Sequence, residues 1–171
     1  MKFTITAGHG AGDPGAVVPG FTERDLMTEL RDILAMKLRA LGHQVVTDGG
    51  AGQNLPLADA IRRIAGSDLA LELHCNAAVN PAAKGVEVIS LPAQAAKARR
   101  VAAAIAGVLE APLRGDHGWI DQSQSARGRL GFVNAGGMVV EVFFISNPEE
   151  LARYRERYWM VASAIAKAVT T

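Results

Sequence analysis

Two hydrophobic periods alternate along the chain. Short apolar runs predict β-strands, and apolar residues that recur every three or four positions predict amphipathic helices. The predicted strands cover residues 2–7, 43–47, 69–73, 85–91 and 138–145. The predicted helices cover residues 23–41, 56–65, 93–109 and 148–169. Strands therefore alternate with helices over most of the sequence.

This alternation predicts an α/β fold, with a mostly parallel twisted sheet flanked by helices on both faces. Thr22 can cap the first long helix, with Asp25 completing a capping-box-like pair, and Pro148 suits the first turn of the last helix. Residues 112–134 are polar and rich in glycine, and no element is assigned to them. Because there is no internal repeat or linker, we expect a single domain over residues 1–171.

Composition narrows the class of protein further. The chain has 171 residues, 49% of them hydrophobic, and a formal net charge of +1. This near-neutral charge gives no reason to expect nucleic acid or an anionic membrane as a partner. With only one cysteine, Cys75, an internal disulfide is impossible, and no apolar run approaches the ~18 residues that a membrane span needs. The N-terminal MKFTITAGHG does not resemble a secretory signal, so we expect synthesis in the cytoplasm.

The glycine-rich stretch GHGAGDPG, residues 8–15, contains the G-x-G-x-x-G spacing of dinucleotide-binding loops. That motif must pass directly from strand to helix, so that the helix N-terminus meets the pyrophosphate. Here Pro19 and Gly20 still interrupt the chain, and the helix begins only near Glu23. Asp48 ends the next strand but lies too far along to bind a ribose. The context therefore argues against a nucleotide site.

Four polar residues lie where ligands collect in open α/β sheets, beyond the C-terminal ends of the strands. His9 follows the first strand, Glu23 begins the first helix, His74 follows LALEL, and Glu141 lies late in the last strand. Two histidines and a carboxylate suit a catalytic zinc site that keeps a fourth position open. A carboxylate inside an apolar strand is costly unless it is compensated, and a nearby metal or its water would compensate Glu141.

Several segments around these residues follow one another in a specific order. They read ITAGHGAGDPGAV and GFTERDL, then LELHCNA, then GVEVISL, and finally VVEVFFISNPEE. Together they resemble the opening, the His-x-Asn-Ala, the following-strand and the closing motifs of the zinc-dependent N-acetylmuramoyl-L-alanine amidases of the Amidase_3 type. The resemblance covers nearly the whole chain and supports the single α/β domain.

The resemblance implies zinc held by His9, Glu23 and His74, with Glu141 as the catalytic acid and base. It also implies the substrate, which is peptidoglycan, and the bond, which joins the lactyl group of N-acetylmuramic acid to the first L-alanine of the stem peptide. In this interpretation Glu141 takes a proton from the attacking water and later delivers it to the departing amine.

Two residues depart from the family pattern. Phe143 stands where the family usually has glycine, and Glu72 stands where it usually has a small residue. Glu72 and His74 point to the same side of a strand, so Glu72 either orients His74 or merely crowds it.

Weaker candidates for substrate binding remain. Glu87 either lines the wall of the pocket or is an exposed strand residue. His117 either lines the substrate groove or is exposed to solvent. The other candidates are Asn76 of the His-x-Asn-Ala motif and two arginines, Arg127 and Arg129, which either face muropeptide carboxylates or lie in a solvated loop.

Two other function classes stay open. Cys75 could serve a cysteine hydrolase, or the chain could be a peptidoglycan-binding module that has lost catalysis. Within the amidase interpretation, the absence of a recognisable export signal favours a phage or prophage endolysin that reaches the wall after release from the cell. The alternative is a piece of a longer protein from which a signal or a partner domain was trimmed. We expect a monomer.

Overall fold

The computed structural model describes residues 1–10 and 12–171 and contains a central six-stranded sheet beside a small hairpin. The strands of the sheet are β1 (Lys2–Ala7), β4 (Gln44–Thr47), β5 (Leu69–Asn76), β6 (Glu87–Ser90), β7 (Trp119–Asp121) and β8 (Met138–Phe144). The hairpin pairs β2 (Val17–Val18) with β3 (Phe21–Thr22). The helices are α1 (Glu23–Ala40), α2 (Leu57–Arg63), α3 (Ala95–Leu109), α4 (Gly131–Asn134) and α5 (Pro148–Thr170).

The strand order is β4-β1-β5-β8-β6-β7. Strands β4, β1, β5 and β8 run parallel to one another, whereas β6 is antiparallel to β8 and parallel to β7. The prediction of a mostly parallel sheet is confirmed, with a reversal at β6. The reversal brings the beginning of β6 to the edge of the sheet where β5 and β8 end.

Helices cover both faces of the sheet, as predicted. The larger face packs against α1, α3 and α5 and holds most of the buried apolar side chains. The smaller face packs against α2 and α4, through a second cluster that includes Ala60, Phe132, Val133 and Val139. Strand β7 and helix α4 both lie in residues 112–134, where no element was predicted. They are only three and four residues long, too short for either hydrophobic period to be recognised.

Helix α1 begins at Glu23 because Thr22 caps it: the Thr22 hydroxyl accepts a hydrogen bond of 3.1 Å from the Asp25 amide. This bond satisfies one of the free N–H groups of the first turn. The predicted cap is therefore present, and it fixes Glu23 as the first helical residue.

None of the helices among the described residues has a stretch long and apolar enough to span a bilayer.

A bulge in β8 explains the departure at Phe143. His74 is paired with Glu141 and Asn76 with Phe144, so β8 has one residue more than β5 between these pairs. The extra residue lets Phe143 join the large core, where its ring stacks on Tyr154 with centroids 4.4 Å apart. Phe144 meanwhile lines the cavity at the sheet edge. A β-bulge re-aims side chains in this way.

Candidate metal centre and active site

The loop after β1 holds His9 in an unusual backbone conformation. The φ angle of His9 is 63°, in the left-handed region that non-glycine residues seldom adopt. The side-chain amide of Asn54 donates to the carbonyls of Ala7 at 3.2 Å and Gly8 at 3.1 Å, and also to that of His9. These bonds tie the loop to residues 48–55 and keep the imidazole at the end of the sheet.

Three potential ligand groups converge at this point. His9 Nε2 lies 3.2 Å from Glu23 Oε2, and His74 Nδ1 lies 2.9 Å from Glu23 Oε1. One ligand atom from each of the three residues lies within 4.8 Å of the others. The structure therefore brings together His9, Glu23 and His74, as the sequence analysis expected.

The Glu23 carboxylate is held from both sides by backbone amides. Ala16 N donates to Oε2 at 3.0 Å and Cys75 N donates to Oε1 at 3.2 Å. The residue is only 4% exposed. Burial alone would raise the pKa of Glu23, but the hydrogen bonds from His74 and His9 hold it well below its usual range. Glu23 is thus an ionised carboxylate with a fixed orientation.

Each histidine has a second carboxylate on its other ring nitrogen. Asp13 Oδ2 lies 2.8 Å from His9 Nδ1, and Glu72 Oε2 lies 3.2 Å from His74 Nε2. A carboxylate that accepts the N–H on one side of an imidazole leaves the opposite nitrogen free as a ligand. Those opposite nitrogens, His9 Nε2 and His74 Nδ1, are the ones beside Glu23. Of the two partners, Glu72 was considered from the sequence and Asp13 was missed, although its i, i+4 spacing from His9 was a usable signal.

Two glycines allow the cluster to pack this closely. A Cβ atom at Gly8 would overlap the imidazole of His74, and one at Gly15 would lie 2.6 Å from both Glu23 Oε2 and His9 Cδ2. The φ angle of Gly15 is also positive, at 66°. The glycines of this loop therefore serve close approach around the histidines, which agrees with the rejection of a nucleotide site.

Glu141 lies next to the cluster but makes no contact that satisfies it. It is the register partner of His74 on β8, and its Oε2 is buried without a hydrogen-bond partner among the described residues. In the metal-free protein, burial, and then the nearby carboxylates of Glu23 and Glu87, raise the pKa of Glu141 to about 7 even though the His74 charge opposes them. A carboxyl group with this pKa can both accept and donate a proton near neutral pH.

The cluster opens into a cavity of about 1000 Å³. Glu87, opposite Glu141 across the β6–β8 pairing, forms part of its wall and is buried, so the alternative of an exposed strand residue is wrong. Glu87 accepts hydrogen bonds from Asn76 Nδ2 at 3.1 Å and from Arg114 Nε at 2.6 Å. Arg114 was missed because nothing in residues 112–134 indicated that its side chain reaches back to the sheet edge.

The other candidates in residues 112–134 divide into two groups. Arg127 lines the cavity. His117 and Arg129 do not line it, and the His117 side chain is 84% exposed beside Asp116. The expectation that His117 and Arg129 contact substrate therefore finds no support in the geometry.

Cys75 does not have the environment of a nucleophile. Its side chain belongs to the large hydrophobic core, and burial raises the pKa of its thiol, with the charges of Glu23 and Glu141 adding to the effect. A reactive cysteine needs a lowered pKa and access to substrate. The structure therefore disfavours the cysteine hydrolase.

An α/β sheet that presents two histidines, a glutamate and an uncompensated carboxylate at its ligand-binding edge is the architecture of a candidate metal-dependent hydrolase. Residues 4–171 match the model of the family Amidase_3, N-acetylmuramoyl-L-alanine amidase, and the chain belongs to that family. The family resemblance drawn from the motifs is confirmed, and the chain is an enzyme of the N-acetylmuramoyl-L-alanine amidase class.

Solved structures agree with this assignment. The chain is 40% identical to a crystal structure from Neisseria meningitidis that is described as an N-acetylmuramoyl-L-alanine amidase, with a TM-score of 0.90 over 98% of this chain and 93% of that one. It is 25% identical to the catalytic domain of the CD27L endolysin, which targets Clostridia difficile, with a TM-score of 0.79 over 99% and 97% of the two chains.

A curated relative is much longer than this chain. Probable autolysin PH of Staphylococcus aureus is 32% identical over 106 residues. The match covers 52% of this chain but only 22% of the autolysin, so the aligned half of the chain spans about a fifth of that protein.

Proposed function

We propose that the chain is a zinc-dependent amidase that separates the stem peptide of peptidoglycan from N-acetylmuramic acid, with Glu141 as its general acid and base. Membership of the Amidase_3 family supports the identity of the cleaved bond and of the peptidoglycan substrate. The single observation that carries the metal and the base is the convergence of His9, Glu23 and His74 beside a carboxylate, Glu141, whose buried oxygen has no partner among the described residues.

The donor set fits zinc. Two neutral imidazoles and one carboxylate are a common catalytic zinc set, which leaves a fourth position for water or substrate. His9 Nε2 and His74 Nδ1 both hydrogen-bond to Glu23 in the metal-free protein and would become metal ligands on loss of their protons. Their opposite nitrogens are held by acidic partners. Without a metal, Glu141 Oε2 is a buried carboxylate oxygen that has no hydrogen-bond partner among the described residues, which is energetically costly. A cation with its water would supply that compensation.

In the reaction, the protein side chains have separate tasks. A bound zinc ion would supply Lewis acidity, which makes water more acidic and polarises the amide carbonyl. Glu141 accepts the proton of the attacking water and returns it to the departing amine of alanine. Asp13 and Glu72 keep the two imidazoles in the required tautomer. Glu87, held by Asn76 and Arg114, forms the wall beside Glu141.

Digestion of purified sacculi tests the bond. We expect new N-terminal alanine amines and no new reducing sugar ends. New reducing ends would indicate a glycosidase, and new amines on another residue would indicate an endopeptidase. Binding to sacculi without any turnover would instead support the inactive binding module.

We also propose a lytic role of the endolysin type, with the chain acting on the cell wall as a monomer. The likeness to the CD27L catalytic domain supports it. Expression in a bacterium with and without a separately encoded membrane-permeabilising protein tests the role. We expect lysis only with the permeabilising protein, and lysis without it would contradict the proposal. Light scattering should give a mass near 18.0 kDa.

A further inference from the structure

Arg114 is the most firmly held cation on the cavity wall. Its Nε donates to Glu87 Oε2 at 2.6 Å and its Nη1 donates to the Lys84 carbonyl at 3.3 Å. Its guanidinium also lies over the ring of Phe144, with Cζ 4.9 Å from the centroid. A long side chain on a polar surface is usually mobile, whereas these three contacts fix the guanidinium in one orientation.

These contacts nevertheless leave some of the N–H donors of the Arg114 guanidinium without an acceptor among the described residues. Nη2 makes no hydrogen bond to any residue that the structure describes, and 41% of the Arg114 side chain is exposed where it lines the cavity. A guanidinium carries five N–H donors in a planar fork that matches a carboxylate. Arg114 therefore retains donors for a ligand on the open side of the cavity.

We propose that Arg114 anchors the free carboxylate of the second stem residue, the one next to the alanine. This rests on the proposed function, since it takes Glu141 as the position of the bond that is cleaved. Arg114 would then distinguish stem peptides whose second residue carries a free carboxylate from those in which that group is amidated.

The spacing across the sheet suits this assignment. Glu141 on β8 pairs directly with Glu87 on β6, and Arg114 approaches from the other side of β6, where Leu113 bridges to Val86. Neighbouring strands lie about 4.8 Å apart, so Arg114 enters about two strand spacings from Glu141. An extended peptide advances about 3.5 Å per residue. The second stem residue lies about two residue lengths beyond the cleaved bond, so its carboxylate can reach the guanidinium.

The local charge agrees with an anionic ligand on this side. The floor of the cavity is acidic, with Glu23, Glu72 and Glu141 around the metal cluster. A peptide carboxylate would be repelled there and would be attracted to the two arginines that line the cavity, Arg114 and Arg127. Of these, Arg114 is the one fixed beside Glu141's partner, Glu87.

A competing explanation is that Arg114 serves only to neutralise the buried Glu87. The two explanations differ in their dependence on the substrate. Neutralisation of Glu87 should matter equally for every stem peptide, whereas a carboxylate anchor should matter only for substrates that carry the carboxylate.

The experiment uses two soluble muropeptides that differ in one group. In one the second stem residue is isoglutamate, with a free carboxylate, and in the other it is isoglutamine, the neutral amide. Initial rates are measured with zinc-loaded wild type, Arg114→Gln and Arg114→Lys. The control is Arg62→Gln, since Arg62 also pairs with a carboxylate, Asp59 at 2.6 Å, but does not line the cavity.

For wild type we expect a lower KM on the isoglutamate substrate. Arg114→Gln also leaves the buried Glu87 without its ion-pair partner, so some loss common to both substrates is expected. Beyond that common loss, the isoglutamate KM should rise roughly tenfold or more relative to the isoglutamine KM, the effect of a lost charge-assisted hydrogen bond. Arg114→Lys should give an intermediate KM, and Arg62→Gln should behave as wild type. Equal losses on both substrates, or equal wild-type KM values, would overturn the anchor and leave the amidase standing. Failure of wild type to cleave either muropeptide would overturn the proposed function itself.

Discussion

The side of the cavity formed by the candidate ligands and the side formed by residues 112–134 are built from different kinds of structure. His9, Glu23 and His74 lie at the ends of long, paired elements, and each has further hydrogen-bond partners that fix its orientation. Residues 112–134 form a three-residue strand, a 3₁₀ turn and a four-residue helix, and most of their side chains are exposed.

This difference indicates that the side with the candidate ligands must be rigid, whereas residues 112–134 can adapt to what they bind. The proposed zinc site would tolerate little change in ligand position. Accordingly Glu23 is buried, the His9 and His74 side chains are only 20% and 18% exposed, and Gly8 and Gly15 leave no spare room around them. A wall that contacts a long and variable peptide needs less precision, and loops on a rigid scaffold commonly carry such contacts. Among the cavity-lining side chains of residues 112–134, Arg114 is held in place because it is bonded to Glu87 on β6.

The largest effect is expected from His74→Ala. The substitution removes one of three proposed ligands and leaves Glu23 with one imidazole fewer. We expect loss of zinc and of amidase activity together, measured by elemental analysis and by release of alanine amines. A variant that keeps stoichiometric zinc would show that His74 is not a ligand.

Next in size is Glu141→Gln, which separates chemistry from metal binding. The amide keeps the size of the side chain but cannot accept a proton, and loss of a positioned acid and base typically costs about 10²- to 10⁴-fold in rate. Zinc content should stay near wild type because the three ligands remain. Loss of zinc would identify Glu141 as a ligand, and full activity would point to another carboxylate, with Glu72 or Glu87 tested first.

A smaller effect is expected from Glu72→Gln. This substitution weakens the hydrogen bond that orients His74 but replaces none of the three proposed ligands. Loss of such outer partners typically lowers metal affinity about 10- to 100-fold, and the amide oxygen should keep the loss near the lower figure. Competition with a chelator measures the affinity directly. Glu149→Gln, on the exposed first turn of α5, is the matched control. Equal zinc affinity in the two variants would mean that Glu72 only fills space.

Removal of zinc should make the stability of the protein depend on pH. In the metal-free protein the hydrogen bond with Glu23 raises the pKa of His9, and the pKa of His74 lies well above 6.5 because its bonds to Glu23 and Glu72 outweigh burial. Folded pKa values above the unfolded ones stabilise the fold fully below about pH 6.5, and this stability is lost as pH rises through the folded values.

The Tm measured in chelator should therefore fall as the pH rises above about 6.5. Glu141 also makes stability fall as the pH rises, because its pKa is raised to about 7 in the folded protein, but its contribution is lost over a lower pH range than that of the histidines. Zinc replaces the protons at the histidines, so the loaded protein should lose less stability over this range. A chelated protein whose Tm is flat across the range would contradict the assigned hydrogen bonds.

The smallest effect is expected from Arg127→Ala in the exposed wall. Surface substitutions away from special features usually change stability by about 0.5 kcal/mol or less. We expect an unchanged Tm and only a modest rise in KM, against the clear effect of Arg114→Gln. A loss of activity as large as that of Arg114→Gln would show that this wall is as preorganised as the metal side.

The sequence determined the elements that depend on neighbours along the chain. The long helices and central strands follow from hydrophobic period, and the start of α1 follows from Thr22, because both signals lie within a few residues. The candidate ligands His9 and His74 also follow, since parallel strands end at a common edge of the sheet. The order of the motifs then added the family and, through it, the roles proposed for Glu23 and Glu141.

One further feature was available in the sequence but was not used. Residues 77–86, between β5 and β6, contain no helix and are too few for the crossover that parallel strands need, which takes a dozen residues or more. This short connection indicates that β6 runs antiparallel to β5. It would have placed Glu87, at the start of β6, beside the ends of β5 and β8 and ruled out its exposed alternative.

Only the tertiary structure decided which distant side chains complete the site. The Asn54 amide on the His9 loop, the bulge that turns Phe143 into the core and the bond from Arg114 to Glu87 each join residues far apart in sequence or depend on strand register. No local pattern encodes such contacts, because they depend on how whole elements pack. The chain alone determined what could bind a metal, and packing decided what holds those ligands and what faces the substrate.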